Sequence, residues 1–279
     1  MGPPRWFRPS APSPAMRSVL DCRWMASSEG RHLLVPDGSM DLVWIEGGGS
    51  WLCGPDTTSW TFELPASTTC VGIRFRPGAA AGVLRLDATD VVDQRVPLDA
   101  LIGSRAARIV DERVAGAVGP SARMAEIEQL AARLASDDNV SPDPVVAAAV
   151  GALATADRRV EHLAALTDLS PRQLQRRFVR HVGYPPSQFA RIARLQRFLH
   201  RSCTEPRSTL VQLAMRAGYA DQSHLARDCR ALTGLTPRQM RAMVSTTSHA
   251  APMSSLRSLG DGVRSVQDAE TLQGRDSAA

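Results

Sequence analysis

Between Pro171 and Gly183 a short segment places Arg172, Gln175, Arg176, Arg177 and Arg180 on one side of a helical period. Leu174, Phe178 and Val182 fall on the other side. Guanidinium groups are planar, permanently charged forks that suit phosphate and the O6/N7 edge of guanine. A glutamine amide suits the N6/N7 edge of adenine. Such a row is chemistry for holding a polyanion. The same residue types return about fifty positions later, where Arg227 takes the place of Arg176 and Arg230 and Arg238 follow.

Other chemistry is thinly supplied. Cysteines at 22, 53, 70, 203 and 229 are odd in number and show no C-x-x-C spacing, which fits free thiols in a reducing compartment. The first half of the chain holds one histidine, His32, too few for a metal-ligand cluster, so no metal, no cofactor and no catalytic residue is expected. Asp37, Asp41 and Asp56 could line a pocket, but turn and capping duty is the expectation. Arg74 and Arg76 alternate with apolar residues, which predicts a polar, open sheet face. Trp44, Trp51 and Trp60 are expected in the core, with a shallow aromatic pocket as the alternative.

All 33 basic residues are arginine, so residue type alone reflects a biased code; placement is what informs. Residues 1–155 hold 14 Arg against 18 acids, a net of −4. Residues 156–243 hold 16 Arg against 6 acids, a net of +10, and residues 244–279 hold 3 against 4, a net of −1. A basic segment beside an acidic one points to nucleic acid as the partner. All five Trp lie in the first sixty residues. The longest apolar run, Pro144 to Ala156, is too short for a membrane span, and no apolar signal segment leads the chain. A cytoplasmic protein without a membrane partner is the expectation. Met1 and Met16 are both candidate starts.

The elements that must position these residues fall into five stretches. Residues 1–16, with Pro at 3, 4, 9, 12 and 14, are expected to be disordered. Residues 17–120 begin with strands: 41–45 and 50–53 flank Gly47-Gly48-Gly49 as a hairpin, 58–64 is β-rich, and 71–75 alternates. Helices are predicted near 78–85, 99–117, 121–136 and 143–155. Residues 121–140 form a linker with a helix, 141–244 a helical domain, and 245–279 a disordered tail. The fold class is α+β, a β-rich domain (possible forms being a sheet, a small barrel or a cupin-like fold) followed by an all-α one.

Residues 160–243 are a repeat. Val160–Leu169 reads as a short amphipathic helix. Ser170-Pro171-Arg172-Gln173 supplies an N-cap, a first-turn proline and a capping-box glutamine, and Gly183 supplies the C-cap. Leu163-Ala164 matches Leu213-Ala214, Leu174 matches Leu225, Gly183 matches Gly234, and Thr236-Pro237-Arg238-Gln239 repeats the cap. Between the repeats Phe189, Ile192, Leu195 and Leu199 form the stripe of a long connecting helix over 187–202.

These residues carry a resemblance. Residues 141–244 resemble the DNA-binding domain of AraC-type (AraC/XylS) transcriptional regulators, most specifically through Ala217-Gly-Tyr-Ala-Asp-Gln-Ser-His-Leu-Ala-Arg227 and Leu232-Thr-Gly-Leu-Thr-Pro237. The resemblance implies seven helices and two helix-turn-helix units whose recognition helices enter successive major grooves. It places base contacts on Arg172, Gln175 and Arg176, and on Gln222, Ser223, His224 and Arg227. Arg177, Arg180, Arg230 and Arg238 are expected on phosphates, while Arg191, Arg194, Arg197 and Arg201 are expected solvated or paired with acids. Two positions depart from the family pattern: Asp168 stands where Gly is usual in the first turn, and Cys229 where Phe is usual.

The first half resembles an uncharacterised β-rich domain found ahead of such DNA-binding domains. It does so through Pro36-Asp37-Gly38, Asp41-Leu-Val-Trp44, Gly54-Pro55-Asp56-Thr57 and Gly72-Ile-Arg-Phe-Arg-Pro-Gly78. The resulting expectation is a sequence-specific transcriptional regulator that is not an enzyme. Its partners would be double-stranded DNA, a small-molecule effector, a second copy as a homodimer, and RNA polymerase. The alternative is an enzyme, cupin-like or a thiol alkyltransferase, fused to a DNA-binding module.

Overall fold

The structure is a computed structural model that describes residues 7–27, 31–136, 142–155 and 169–246. Eight strands lie in the described part of the first hundred residues: β1 (Phe7–Ser10), β2 (Leu20–Ser27), β3 (Arg31–Leu34), β4 (Asp41–Ile45), β5 (Gly49–Cys53), β6 (Trp60–Glu63), β7 (Thr69–Phe75) and β8 (Arg95–Pro97). Six of them make an antiparallel sheet in the order β1-β2-β7-β4-β5-β8, and β3 pairs with β6 in a separate ribbon. The β4–β5 hairpin turns through Gly47 and Gly49, both at positive φ, as the triple glycine predicts.

The proline-rich start is not without structure from residue 7 onward. β1 pairs with β2 despite Pro9, because β1 is the sheet edge, where an imino residue need not supply a ladder donor. Beyond it, Ser13 donates its backbone N–H to Glu128 at 2.7 Å, and Glu128 also meets Arg23 at 3.1 Å.

Alternation along the strands buries both sheet faces. Leu42, Trp44, Val71, Ile73 and Phe75 pack toward helices α1 (Ala80–Leu84), α2 (Leu98–Ile102), α3 (Ser104–Gly116) and α4 (Pro120–Ala135). Gly103, at φ +83, separates α2 from α3, so the single helix expected over 99–117 is two. α4 is not a linker element. Met124, Ile127, Leu130 and Ala131 belong to the core and the helix lies on β7 and β2. On the other face Cys22, Trp24, Ala26, Val43 and Cys70 lie beneath the β3–β6 ribbon, which packs Phe62 and Leu34 against them. Gly72 makes this possible, since a Cβ there would sit 2.6 Å from the Trp24 ring. The face expected to be polar and open is therefore covered, and Arg74 keeps only 11% of its side chain exposed.

Six further helices follow: α5 (Pro144–Ala154), α6 (Pro171–Val182), α7 (Pro186–Thr204), α8 (Leu210–Arg216), α9 (Gln222–Thr233) and α10 (Pro237–Thr246). One apolar core joins them, built on Phe178, Phe189, Ile192, Leu195, Phe198, Leu213 and Leu225. The helix expected over 160–169 lies, but for Leu169, outside the described residues, as do Asp168, residues 1–6 and the tail beyond 246.

The two halves are docked. Gln196 on α7 donates to the Pro36 carbonyl at 2.6 Å, and Ser59 donates its backbone N–H to the Leu232 carbonyl at 2.7 Å. Gly38, at φ +86, lies against the Phe189 ring.

Candidate nucleic-acid interface

α6 and α9 are built alike, and local chemistry explains why each starts and stops where it does. Ser170 accepts from the Gln173 backbone N–H while Gln173 accepts from the Ser170 N–H, a closed capping box. Gly183 ends α6 in the left-handed conformation. α9 begins with Asp221 accepting from the His224 backbone N–H at 2.6 Å and ends at Gly234, again left-handed. The Thr236-Gln239 pair closes a second box at α10, and Thr209-Gln212 a third at α8. The third was readable as Thr-x-x-Gln but was not among the expectations.

Leu174, Phe178 and Val182 are buried on α6, and Leu225, Cys229 and Leu232 on α9. Cys229 fills the place of Phe178 as a fully buried thiol, pushed by burial up to about 12, so it is held as the neutral, apolar thiol. The opposite faces are open. Arg172, Gln175, Arg176 and Arg180 are exposed on α6, as are Gln222, Ser223, Arg227 and Arg230 on α9 and Arg238 on α10.

Two expected contact residues sit differently. Arg177 pairs with Asp143, the N-cap of α5, so its charge is shared within the protein. His224 is half-buried against Tyr219, ring centroids 5.1 Å apart, with Nε2 3.8 Å from Asp228.

Between the two helices α7 runs for 19 residues, about 28 Å at 1.5 Å per residue, close to one turn of B-DNA at ~34 Å. Its arginines are committed inward or to acids, which the sequence left open. Arg191 and Arg194 reach Asp228 at 3.0 and 3.4 Å, and Arg201 reaches Glu205 at 2.7 Å. Arg197 donates to the carbonyls of Ala217, at 3.1 Å, and Ala154, at 2.6 Å, closing the ends of α8 and α5.

Asp228 was missed by sequence reasoning. It is an acid on the apolar stripe of α9, three residues after Leu225, and that spacing was its only signal.

The three aspartates of the first half do more than turn duty. Asp37 and Asp41 hold Arg74 at 3.0 and 3.1 Å, and Asp56 holds Arg95 at 2.6 Å. All five line a cavity of about 220 Å³ beneath the β3–β6 ribbon. Trp60 lines it too, with the Arg95 guanidinium 4.0 Å above its ring centroid, while Trp44 is core. Among the described residues no group of three or more His, Cys, Asp or Glu could hold a metal ion, and no helix is long and apolar enough to cross a membrane.

Comparison with known proteins agrees with this division. Residues 163–243 match the family model described as "Helix-turn-helix domain", and residues 9–97 match "Domain of unknown function (DUF6597)". The HTH-type transcriptional regulator VirS of Mycobacterium tuberculosis is 33% identical over 137 residues. That match takes in 48% of this chain and 40% of VirS, so the chain spans under half the length of the curated relative. A probable AraC family transcriptional regulator from Rhodopseudomonas palustris is 31% identical over 35% of this chain and 91% of its own, with a TM-score of 0.31. ToxT from Vibrio cholerae aligns over 87% of this chain and 99% of its own at 9% identity and a TM-score of 0.43.

Proposed function

We propose that this chain, whose residues 163–243 are an AraC-type helix-turn-helix domain, is a sequence-specific DNA-binding transcriptional regulator. One observation carries the reading. Two helices of similar construction, α6 and α9, expose matched arginines, Arg176 and Arg227, and the helix that follows the first of them, α7, is about one DNA turn long. In this reading Arg172, Gln175 and Arg176 face one major groove and Gln222, Ser223 and Arg227 the next, with His224 at the edge of the second set. Arg180, Arg230 and Arg238 neutralise phosphates, and Arg177 contributes there only through the charge that Asp143 leaves it.

The first half is assigned the sensing of a small molecule, supported by its cavity beneath the β3–β6 ribbon and by its docking on α7 and α9. A second copy on a two-site operator and RNA polymerase are the protein partners this role requires.

The test uses the full chain. Genomic fragments are selected by binding, and the enriched sequence is titrated against a scrambled one at several salt concentrations. The expected result is a preference for the enriched sequence and a fall in affinity of ~10³–10⁵ between 50 and 200 mM salt if 6–10 phosphates are contacted. Equal binding to both sequences with no salt dependence overturns the reading.

A further inference from the structure

The cavity under the β3–β6 ribbon has an apolar aromatic body and an acidic end. Phe7, Trp24, Phe62 and Trp60 supply aromatic surface, and its volume of about 220 Å³ exceeds the ~150 Å³ that admits benzene in an engineered core. At one end stand three carboxylates, Asp37, Asp41 and Asp56, against two guanidiniums, Arg74 and Arg95. Both guanidiniums are already matched, Arg74 by Asp37 and Asp41 and Arg95 by Asp56. Arg95 keeps its Nε unpaired but lies flat on Trp60. The indoles reinforce the acidic end, Trp24 donating to Asp41 at 2.8 Å and Trp60 to Asp56 at 3.1 Å. Ser39, only 5% exposed, lines the same end with its hydroxyl unpartnered.

A carboxylate ligand entering here would meet three carboxylates and two guanidiniums already matched to them, with the imidazole of His32, stacked on Phe62, as the further basic group in the wall. A cationic head would meet acceptors and ring faces, the combination that recognises ammonium groups.

The walls of that end are also the docking segments. Residues 35–39 hold Gln196 through Pro36 and Phe189 through Gly38. Residues 54–60 reach Gln188 through the Thr57 carbonyl at 3.4 Å and the end of α9 through Ser59. Val35, Asp37 and Ser39 of the first segment and Gly54, Asp56 and Trp60 of the second line the cavity.

We infer that the cavity binds a hydrophobic cation, an amine on an aromatic or aliphatic body, and that its occupancy is relayed through residues 35–39 and 54–60 to α7 and α9. The relay rests on the regulator reading, but the ligand class does not. Binding and relay are linked reciprocally, so a ligand that alters DNA affinity is itself bound with the same factor in the presence of DNA.

The test of the ligand class uses the full chain without DNA and three probes that each carry one phenyl ring on a two-carbon chain: phenethylamine, 2-phenylethanol and 3-phenylpropionate. Tryptophan fluorescence, with Trp24 and Trp60 in the wall, and calorimetry read the binding. Phenethylamine is expected to bind at least about tenfold more tightly than either other probe. Asp56→Asn, which leaves Arg95 unmatched, is expected to reverse the order in favour of 3-phenylpropionate. Phe62→Leu serves as a second variant and should weaken the amine and the alcohol together. Equal or tighter binding of 3-phenylpropionate or the alcohol by the unaltered protein overturns the cationic class, and no binding of any probe at millimolar concentration overturns the site. For the relay, saturating phenethylamine should change affinity for the enriched DNA at least threefold, and Gln188→Ala should reduce that change. An unchanged DNA affinity with phenethylamine bound overturns the relay alone, while absence of specific DNA binding overturns the regulator reading and with it the relay, leaving the ligand result standing.

Discussion

Arg191, on α7, holds Asp228, in the middle of α9, at 3.0 Å, and Arg194 one turn along reaches the other oxygen of the same carboxylate at 3.4 Å. Asp228 is 5% exposed, so the pair locks the pitch of α9 against the strut from inside the domain. A buried ion pair adds little over an apolar one, but removing one partner leaves a buried charge unmatched.

Asp228→Ala is accordingly expected to destabilise the domain by about 2 kcal/mol, below the ~3–5 of a fully enclosed pair. The discount follows from Arg191, which keeps 36% of its side chain exposed and can turn to water. Denaturant unfolding followed by helical circular dichroism measures it. No loss of stability would show that the carboxylate is not a structural anchor.

Arg176 and Arg227 are exposed, so neither supports the core. Replacing each by alanine should leave the thermal midpoint unchanged and cost ~1–3 kcal/mol of discrimination at one base step each. The two steps should lie about one helical turn apart in the enriched sequence. Titration against single-base variants of that sequence reads both effects, and relaxation at a single shared step would contradict two-groove docking.

How much of this was legible follows the distance over which each interaction acts. The boxes at Ser170 and Thr236, the left-handed ends at Gly183 and Gly234, and the Phe189-Ile192-Leu195-Leu199 stripe are set within a few residues, so spacing revealed them. Asp37 does hold the turn at Ser39, but the ion pairs of the aspartates were not legible because their partners come from register. β4 pairs with β7 so that Asp41 stands opposite Arg74, 33 residues away, and no local pattern announces that. α4 read as a linker because its hydrophobic face has no partner until the sheet exists. Pro9 read as a breaker because nothing in its neighbourhood marks the strand as an edge.

Gly38 tests whether the two halves are held in one arrangement. Its φ is +86, and a Cβ would come within 2.6 Å of Phe189 Cε2 in the centre of the second core. Gly38→Ala combines left-handed strain of ~1–2 kcal/mol with an overlap of ~1–3, so a loss of about 2–5 is expected. Hydrogen exchange should show added opening at 36–39 and along α7 before it shows any in the β4–β5 hairpin. Uniform exchange throughout would mean that the contact does not join the halves.

Asp56 gives the docked loop a pH signature of defined sign. Burial pushes its carboxyl up to about 6, outweighing the lowering by Arg95, from an ordinary value of 3.8. The folded protein then holds a proton that the unfolded chain releases across the interval between those values. Stability contributed by this group is present below about 3.8 and is lost as pH rises through about 6. Acids of the opposite sense, such as Asp143 and Asp87, lose their contribution as pH falls below the ordinary range. The Asp56 contribution is therefore isolated as a difference. Unfolding free energy of the unaltered protein minus that of Asp56→Asn should decline between pH 4 and 6 and be level above it. A difference that rises over this interval would show that Arg95, and not burial, governs the carboxylate.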